Sequence, residues 1–291
     1  MFHGSIVALV TPFRNGGLDE RAFQSLVEWH LAEGTQGFVP VGTTGESPTL
    51  THPEHERVIE LCIETVGRRA PVIAGTGSNS TEEAISLTRH AKRAGADAAL
   101  VVTPYYNKPT QDGLYAHYRA IHDAVELPLI IYNIPGRSVV DMSPETMGRL
   151  AKLPNIVGVK DSSADIMRPL LTHAACGPEF RQLSGEDGNI VAFLAHGGHG
   201  CISVTANVAP RLCGQLHRAW QAGRPDEALA IHRRLLPLHQ ALFCESSPAP
   251  AKYALSRLGR CTDEVRLPLV GLQDRSKAQV DAALAAVGLL G

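Results

Sequence analysis

The absences in this chain narrow its class first. No apolar run approaches the ~20 residues that a membrane-spanning helix needs. The first residues lack the charged start and apolar core of a secretory leader, so a soluble, cytoplasmic protein is expected. There is no basic stripe and no acidic tail. Lys plus Arg number 27 against 29 Asp plus Glu, a formal charge of −2 with the signs interspersed. That balance argues against nucleic acid or a membrane surface as partner. The six cysteines (Cys62, Cys176, Cys201, Cys213, Cys244 and Cys261) form no CxxC pair. They read as free, mostly buried thiols in a reducing compartment. No GxSxG elbow and no HExxH or HxxEH zinc spacing occurs; His52-Pro53-Glu54-His55-Glu56 fits neither. His196 and His199 flank glycines and read as loop residues. Gly75-Thr76-Gly77 lacks the third glycine of a dinucleotide fingerprint. No metal and no cofactor is expected.

What is present is a rhythm. Strand-like runs recur at residues 5–11, 37–41, 71–75, 98–103, 127–133, 156–160, 180–184 and 201–205. Amphipathic runs lie between them. Residues 19–32 place Phe23, Leu26, Val27 and His30 on one helical face. Residues 81–94 open on Thr-Glu-Glu and stop at Gly95. Ser143-Pro144 is an N-cap followed by proline at the first helical position. Eight such alternations predict an α/β fold, a (β/α)8 TIM barrel. A doubly wound sheet competes, but it would need a phosphate fingerprint. After about residue 222 the rhythm changes to helices only. We therefore expect a catalytic barrel over residues 1–223 and an appended C-terminal helical region over 224–291, its apolar faces covered by the barrel wall or another subunit.

Lysine is scarce, with six in the chain, and Lys160 alone ends an apolar, β-branched run, Ile156-Val157-Gly158-Val159-Lys160. Catalytic residues of such barrels sit at C-terminal strand ends. A lysine there would be desolvated, which disfavours the ammonium and leaves the neutral amine that attacks carbonyls. The competing reading is a side chain snorkelling to solvent. Other predicted strand ends supply Gly42-Thr43-Thr44-Gly45-Glu46-Ser47, Thr103-Pro104-Tyr105-Tyr106-Asn107, Tyr132-Asn133-Ile134-Pro135-Gly136-Arg137 and Ser184-Gly185-Glu186-Asp187. Paired glycines let backbone approach a ligand, and hydroxyls suit an oxyanion. Tyrosines can relay protons, although packing is their commoner use. Arg137 is a charged fork suited to a carboxylate, or else to a surface ion pair. An amine, hydroxyls and a guanidinium together fit carbonyl chemistry on a carboxylate-bearing substrate.

These motifs, with Gly4-Ser5-Ile6-Val7-Ala8 and Gly197-Gly198-His199-Gly200-Cys201-Ile202-Ser203-Val204, resemble the dihydrodipicolinate synthase / N-acetylneuraminate lyase family of class I aldolase-type barrels over essentially the whole chain. The resemblance implies that Lys160 forms a Schiff base with pyruvate, whose enamine attacks aspartate semialdehyde in diaminopimelate/lysine biosynthesis. It implies proton transfer by Tyr132, with Thr43 and Tyr106 completing a hydroxyl relay. Tyr106 would reach a neighbouring subunit's site. Thr44 matches a pyruvate-carboxylate contact and Arg137 the semialdehyde-carboxylate contact. Gly185 and Ile202 match backbone contacts near the lysine. Ser47, Pro48, His52, His55, Asn79, Glu83 and Tyr105 match a lysine-inhibition site, with Pro48 standing where relatives often carry alanine. Ser247 stands where relatives often carry asparagine. A homotetramer built from two dimers is implied. The alternatives are a sugar-acid aldolase or lyase of the same family, against which Arg137 argues, and a catalytically silent lysine-binding barrel, against which the intact Lys160, Tyr132, Tyr106 and Thr43 argue.

Overall fold

The computed structural model describes residues 2–290. Eight parallel strands alternate with helices: β1 Gly4–Ala8, β2 Gly37–Val39, β3 Ile73–Gly75, β4 Ala98–Val102, β5 Leu129–Asn133, β6 Ile156–Asp161, β7 Arg181–Ser184 and β8 Gly200–Ser203. This is the expected (β/α)8 class, with further helices at the C-terminal end. The runs are apolar on both faces: Ile130, Ile131, Val159, Leu183 and Ile202 are all buried. Strands covered on both sides read in this way because neither face meets water.

The chain divides into two compact units. The first joins the residues up to His3 with Pro71–Ile202, and the second joins Gly4–Ala70 with the chain from Ser203 onward. Within the first, β3 to β7 pair in sequence order, and β7 pairs with β8. Helices Thr81–Ala94, Gln111–Ala124, Pro144–Leu150 and Arg168–Cys176 belong to this unit. Within the second, β1 pairs with β2 through Ile6↔Gly37 to Ala8↔Val39. Helices Glu20–Ala32, His52–Val66 and Pro210–Gln221 follow, then Pro225–Ala241, Ala249–Arg257 and Asp274–Ala286 with no strand among them. None of the described helices is long and apolar enough to cross a membrane.

Local chemistry sets the helix ends. Asp19 accepts from the Ala22 N–H, and Phe23, Leu26, Val27 and His30 are buried as their spacing predicts. His30 is held neutral: burial pushes its imidazole down to about 3, helped by Arg260. Ser80 caps helix Thr81–Ala94, which stops at Gly95 in the left-handed region, φ 94°. Ser143 accepts from the Thr146 N–H at 3.2 Å. Strands end earlier than their apolar runs. β2 stops at Val39 because Pro40 has no N–H to continue the ladder. Beyond β1, the Val10 N–H turns to the Asn207 Oδ1 at 3.1 Å. The hairpin of Phe13–Arg14 against Gly17–Leu18 was not expected. Its signal is Asn15-Gly16, whose φ values of 53° and 82° suit a primed turn.

Gly158 lies in β6, two residues before Lys160. A Cβ there would collide with the Arg181 carbonyl oxygen on β7, a backbone atom held by strand pairing. Gly158→Ala should therefore cost about 1–3 kcal/mol of stability by overpacking, read as a lower denaturation midpoint. An unchanged midpoint would show that the two strands can part at no cost.

Candidate active site

The parallel register of β5 and β6 sets Tyr132 opposite Lys160 and Asn133 opposite Asp161. Lys160 Nζ lies 4.0 Å from the centroid of the Tyr132 ring. Both side chains are buried, at 6 % and 5 % exposure, so they meet away from bulk water. No carboxylate forms a salt bridge with Lys160 among the described residues, so no ion pair pins its amine. On the next strand Lys160 faces Leu183 and Asp161 faces Ser184. The chain then turns at Gly185, whose N–H donates to the Asp161 carbonyl at 2.7 Å. A Cβ on Gly185 would stand 3.0 Å from Lys160 Cε and collide with Ser162 Oγ. Glycine is required there because the backbone itself approaches the lysine. Ile202 is buried in β8, beyond Cys201, which pairs with Ser184. Lys160, Tyr132 and Gly185 are thus gathered at one place.

A polar layer holds these strand ends, and most of it was not anticipated. Asn133 Nδ2 donates to Asp161 at 3.0 Å and to Asp141 at 2.8 Å. Asp141 pairs with Arg168 at 2.6 Å, and Arg168 also donates to the Met142 carbonyl at 3.1 Å. Asp161 accepts the Ser163 N–H at 3.0 Å. Asn133 and Asp161 could have been noticed, because they follow Tyr132 and Lys160 directly at apolar strand ends. Asp141 and Arg168 carry no comparable signal, since only the folded chain joins residues so far apart.

Arg137 rides on the short helix Pro135–Ser138. Ser138 anchors that helix, its hydroxyl 3.1 Å from that of Thr103 at the end of β4. The Arg137 side chain is exposed and has no ion pair among the described residues. Tyr106, unlike the buried lysine, is 90 % exposed, and its φ of 71° is left-handed. In the second unit, Thr43 is half-buried and Thr44 buried, in a turn closed by Gly45 N–H to the Gly42 carbonyl at 3.0 Å and Glu46 N–H to the Thr43 carbonyl at 3.1 Å.

The suggested regulatory residues fall on both units. Ser47 and Pro48 form a 3-10 turn, His52 is exposed at a helix start and His55 is buried in the same helix of the second unit. In the first unit the Glu83 carboxylate takes the Ser78 hydroxyl. Asn107 Nδ2 donates to the Asn79 carbonyl at 2.8 Å, which ties the loop of Tyr105 to that of Asn79. His199 Nδ1 accepts the Gln182 N–H at 3.1 Å. Among the described residues no three His, Cys, Asp or Glu groups converge to hold a metal.

Glu186 follows Gly185, and its carboxyl is pushed up to about 7. Burial is the main cause; Asp187 adds to it, and Lys160 opposes it. The folded chain then binds this proton more tightly than the unfolded chain, whose carboxyl keeps the ordinary value of 4.5. The resulting stability is full below pH 4.5 and is lost as pH rises to about 7. Glu186→Gln should therefore gain thermal stability relative to wild type between pH 5 and pH 8. A difference that stays constant over that range would contradict a neutralised carboxyl.

Against this geometry the likenesses to known proteins are specific. A Rhodospirillum centenum protein named 4-hydroxy-tetrahydrodipicolinate synthase is 68 % identical over 290 residues, covering 100 % of both chains. The structure of the chloride-inhibited dihydrodipicolinate synthase from Acinetobacter baumannii complexed with pyruvate is 47 % identical, with a TM-score of 0.97 over 100 % of both chains. The enzyme from Cyanidioschyzon merolae, solved with lysine bound, is 40 % identical, with a TM-score of 0.96 over 99 % of each. The model of the dihydrodipicolinate synthetase family matches residues 1–287. With the strand-end lysine, its tyrosine neighbour and near-complete coverage by that model, the chain belongs to the dihydrodipicolinate synthetase family.

Proposed function

We propose that this chain condenses pyruvate with L-aspartate 4-semialdehyde through a Schiff base on Lys160, giving 4-hydroxy-tetrahydrodipicolinate for diaminopimelate and lysine biosynthesis. The observation that carries this reading is the buried Lys160 amine, 4.0 Å from the Tyr132 ring and in no salt bridge among the described residues. The amine adds to the pyruvate carbonyl carbon, and the carbinolamine loses water to give the imine. Tyr132 moves the protons of these steps through its hydroxyl, with Thr43 and Tyr106 as further members of the relay. Removal of a methyl proton leaves an enamine, and its terminal carbon attacks the aldehyde. The amino group of the second substrate then closes the ring on the imine carbon and releases the lysine. Thr44 and the backbone at Gly185 and Ile202 serve pyruvate. Arg137, exposed and without an ion pair, takes the semialdehyde carboxylate. No comparable observation favours a sugar-acid lyase or a silent binder.

Inhibition by lysine is part of this reading. A relative with lysine bound supports it. So does the chemistry of Glu83 toward an amino group and of Asn79 and Tyr105 toward a carboxylate. We also read the active form as a homotetramer of paired dimers. The outward ring of Tyr106 suits a neighbouring subunit's site. Ile166, Met167, Leu170 and Leu171 leave 44–49 % of their surfaces exposed around the start of one helix, which suits a second copy. A barrel through residue 223 with an appended helical region follows from the strandless helices after Gly223. A cytoplasmic setting suits the six free cysteines.

Borohydride reduction in the presence of pyruvate should label wild type and leave Lys160→Ala unlabelled; labelling of the variant at wild-type level would overturn the nucleophile assignment. Arg137→Ala should lower kcat/KM for the semialdehyde by roughly 10- to 100-fold, the loss of a charged hydrogen bond. Pyruvate trapping should stay close to wild type in that variant. Equal losses toward both substrates would remove Arg137 from its role.

A further inference from the structure

Lys252 is the most buried lysine in the described structure, at 0 % exposure, although it sits in a helix and not at a strand end. Its amine is fully occupied. Nζ donates to Glu46 Oε1 at 2.7 Å and to the Thr11 carbonyl at 2.9 Å, and it lies 4.1 Å from the centroid of the Phe13 ring. The Glu46 carboxylate is just as enclosed. Its second oxygen accepts the Arg266 N–H at 3.0 Å. The Arg266 guanidinium is 4.2 Å from the Phe13 ring centroid and is held by Glu54 at 2.6 Å. This pair cannot supply a nucleophile, because its amine is bonded on all sides and closed to solvent.

Burying two charges is not a route to stability in itself, since desolvation consumes the attraction between them. What the pair does is geometric. Glu46 has a left-handed backbone, φ 55°, which a residue with a side chain rarely adopts unless its surroundings hold it there. Its own N–H closes the turn on the Thr43 carbonyl at 3.1 Å. The preceding Gly45 carbonyl accepts the Thr11 hydroxyl at 2.7 Å, and the same Thr11 offers its carbonyl to Lys252. Gly45 is packed so closely that a Cβ would stand 3.0 Å from the Val41 backbone. The side of the turn that follows Thr43 and Thr44 is thus held twice, by packing at Gly45 and by charge at Glu46.

We propose that the buried Lys252–Glu46 pair is a positioning device for the turn of residues 42–47, acting on the condensation by holding Thr43 and Thr44 without touching substrate. The catalytic half of this inference rests on the roles given to those threonines above. Lys252 and Glu46 are positioning residues, and their removal changes catalysis through the turn and leaves Lys160 in place.

The test is the paired variant Lys252→Met/Glu46→Gln, which removes both charges together and leaves neither buried alone. It is compared with wild type, with Thr43→Val and with the triple variant. Imine trapping of pyruvate on Lys160 should remain near wild type in the paired variant, with kcat lower by at least tenfold. In the Thr43→Val background the same pair should lower kcat by less than twofold, because the hydroxyl it positions is gone. Amide hydrogen exchange at residues 45–47 should be at least tenfold faster in the paired variant. Wild-type exchange rates there, or the same kcat loss in both backgrounds, would overturn the positioning role. Wild-type kcat in Thr43→Val, with accelerated exchange in the paired variant, would instead overturn the reaction role given to Thr43 and leave the mechanical role of the pair standing. Should the paired variant lose imine trapping as well, the pair would be a general stabilising element, and the proposal would fall.

Discussion

The parallel register of β5 against β6 is the constraint on which the active-site reading depends. Parallel pairing places Tyr132 beside Lys160 and Asn133 beside Asp161 as two consecutive rungs. A slip by one residue would turn the lysine to the opposite face of the strand and take the amine from the ring. Several features hold the register. Apolar side chains fill both faces of these strands. Asn133 joins Asp161 to Asp141, and through it to Arg168. Gly158 admits the neighbouring backbone of Arg181, and Gly185 admits the side chains of Ser162 and Lys160, where a Cβ would collide. The chemistry at the strand end is only as well defined as this ladder.

Two buried lysines in one chain show how surroundings decide what an amine does. Lys252 has a carboxylate, a carbonyl and an aromatic face, so its ammonium is satisfied and fixed. Lys160 has an aromatic face and no carboxylate ion pair among the described residues. In the first arrangement burial disfavours the ammonium, Glu46 opposes that, and the hydrogen bonds fix the amine in place; in the second no salt bridge holds the nitrogen away from a carbonyl carbon. Burial alone does not separate them, and Lys252 is the more buried of the two. The partner atoms separate them.

Both functions use polar groups that the core must satisfy. Asp161, Asn133 and Arg168 are buried and bonded to one another or through Asp141. Such networks rigidify a site when every member has a partner and become costly when one is lost. Glu186 is the contrasting case: its carboxyl is poorly solvated and near Asp187, and it takes up a proton near neutrality. Its electrostatic coupling to Lys160 makes the local charge around that amine sensitive to pH near 7.

The sequence by itself determined the eight alternations, the strand cores to within a few residues, a few helix ends and the unusual context of Lys160. Those features are local: apolar periodicity, Ser, Thr and Asp caps, glycine stops, and β-branched residues before a lysine are all written in neighbouring positions. It also marked Tyr132, Arg137 and the Thr43-Thr44 turn, through motifs that are specific only jointly. Tertiary structure alone decided that Tyr132 lies against Lys160, that Asp141 and Arg168 brace the strand ends, and that Lys252 pairs with Glu46 across 206 positions of chain. Lys252 shows why. Its helix was legible, but its partners are Glu46, Thr11 and Phe13, and no local pattern records which distant residues a fold will bring to one amine. Local preferences settle what an element is, and long-range packing settles which groups it must satisfy.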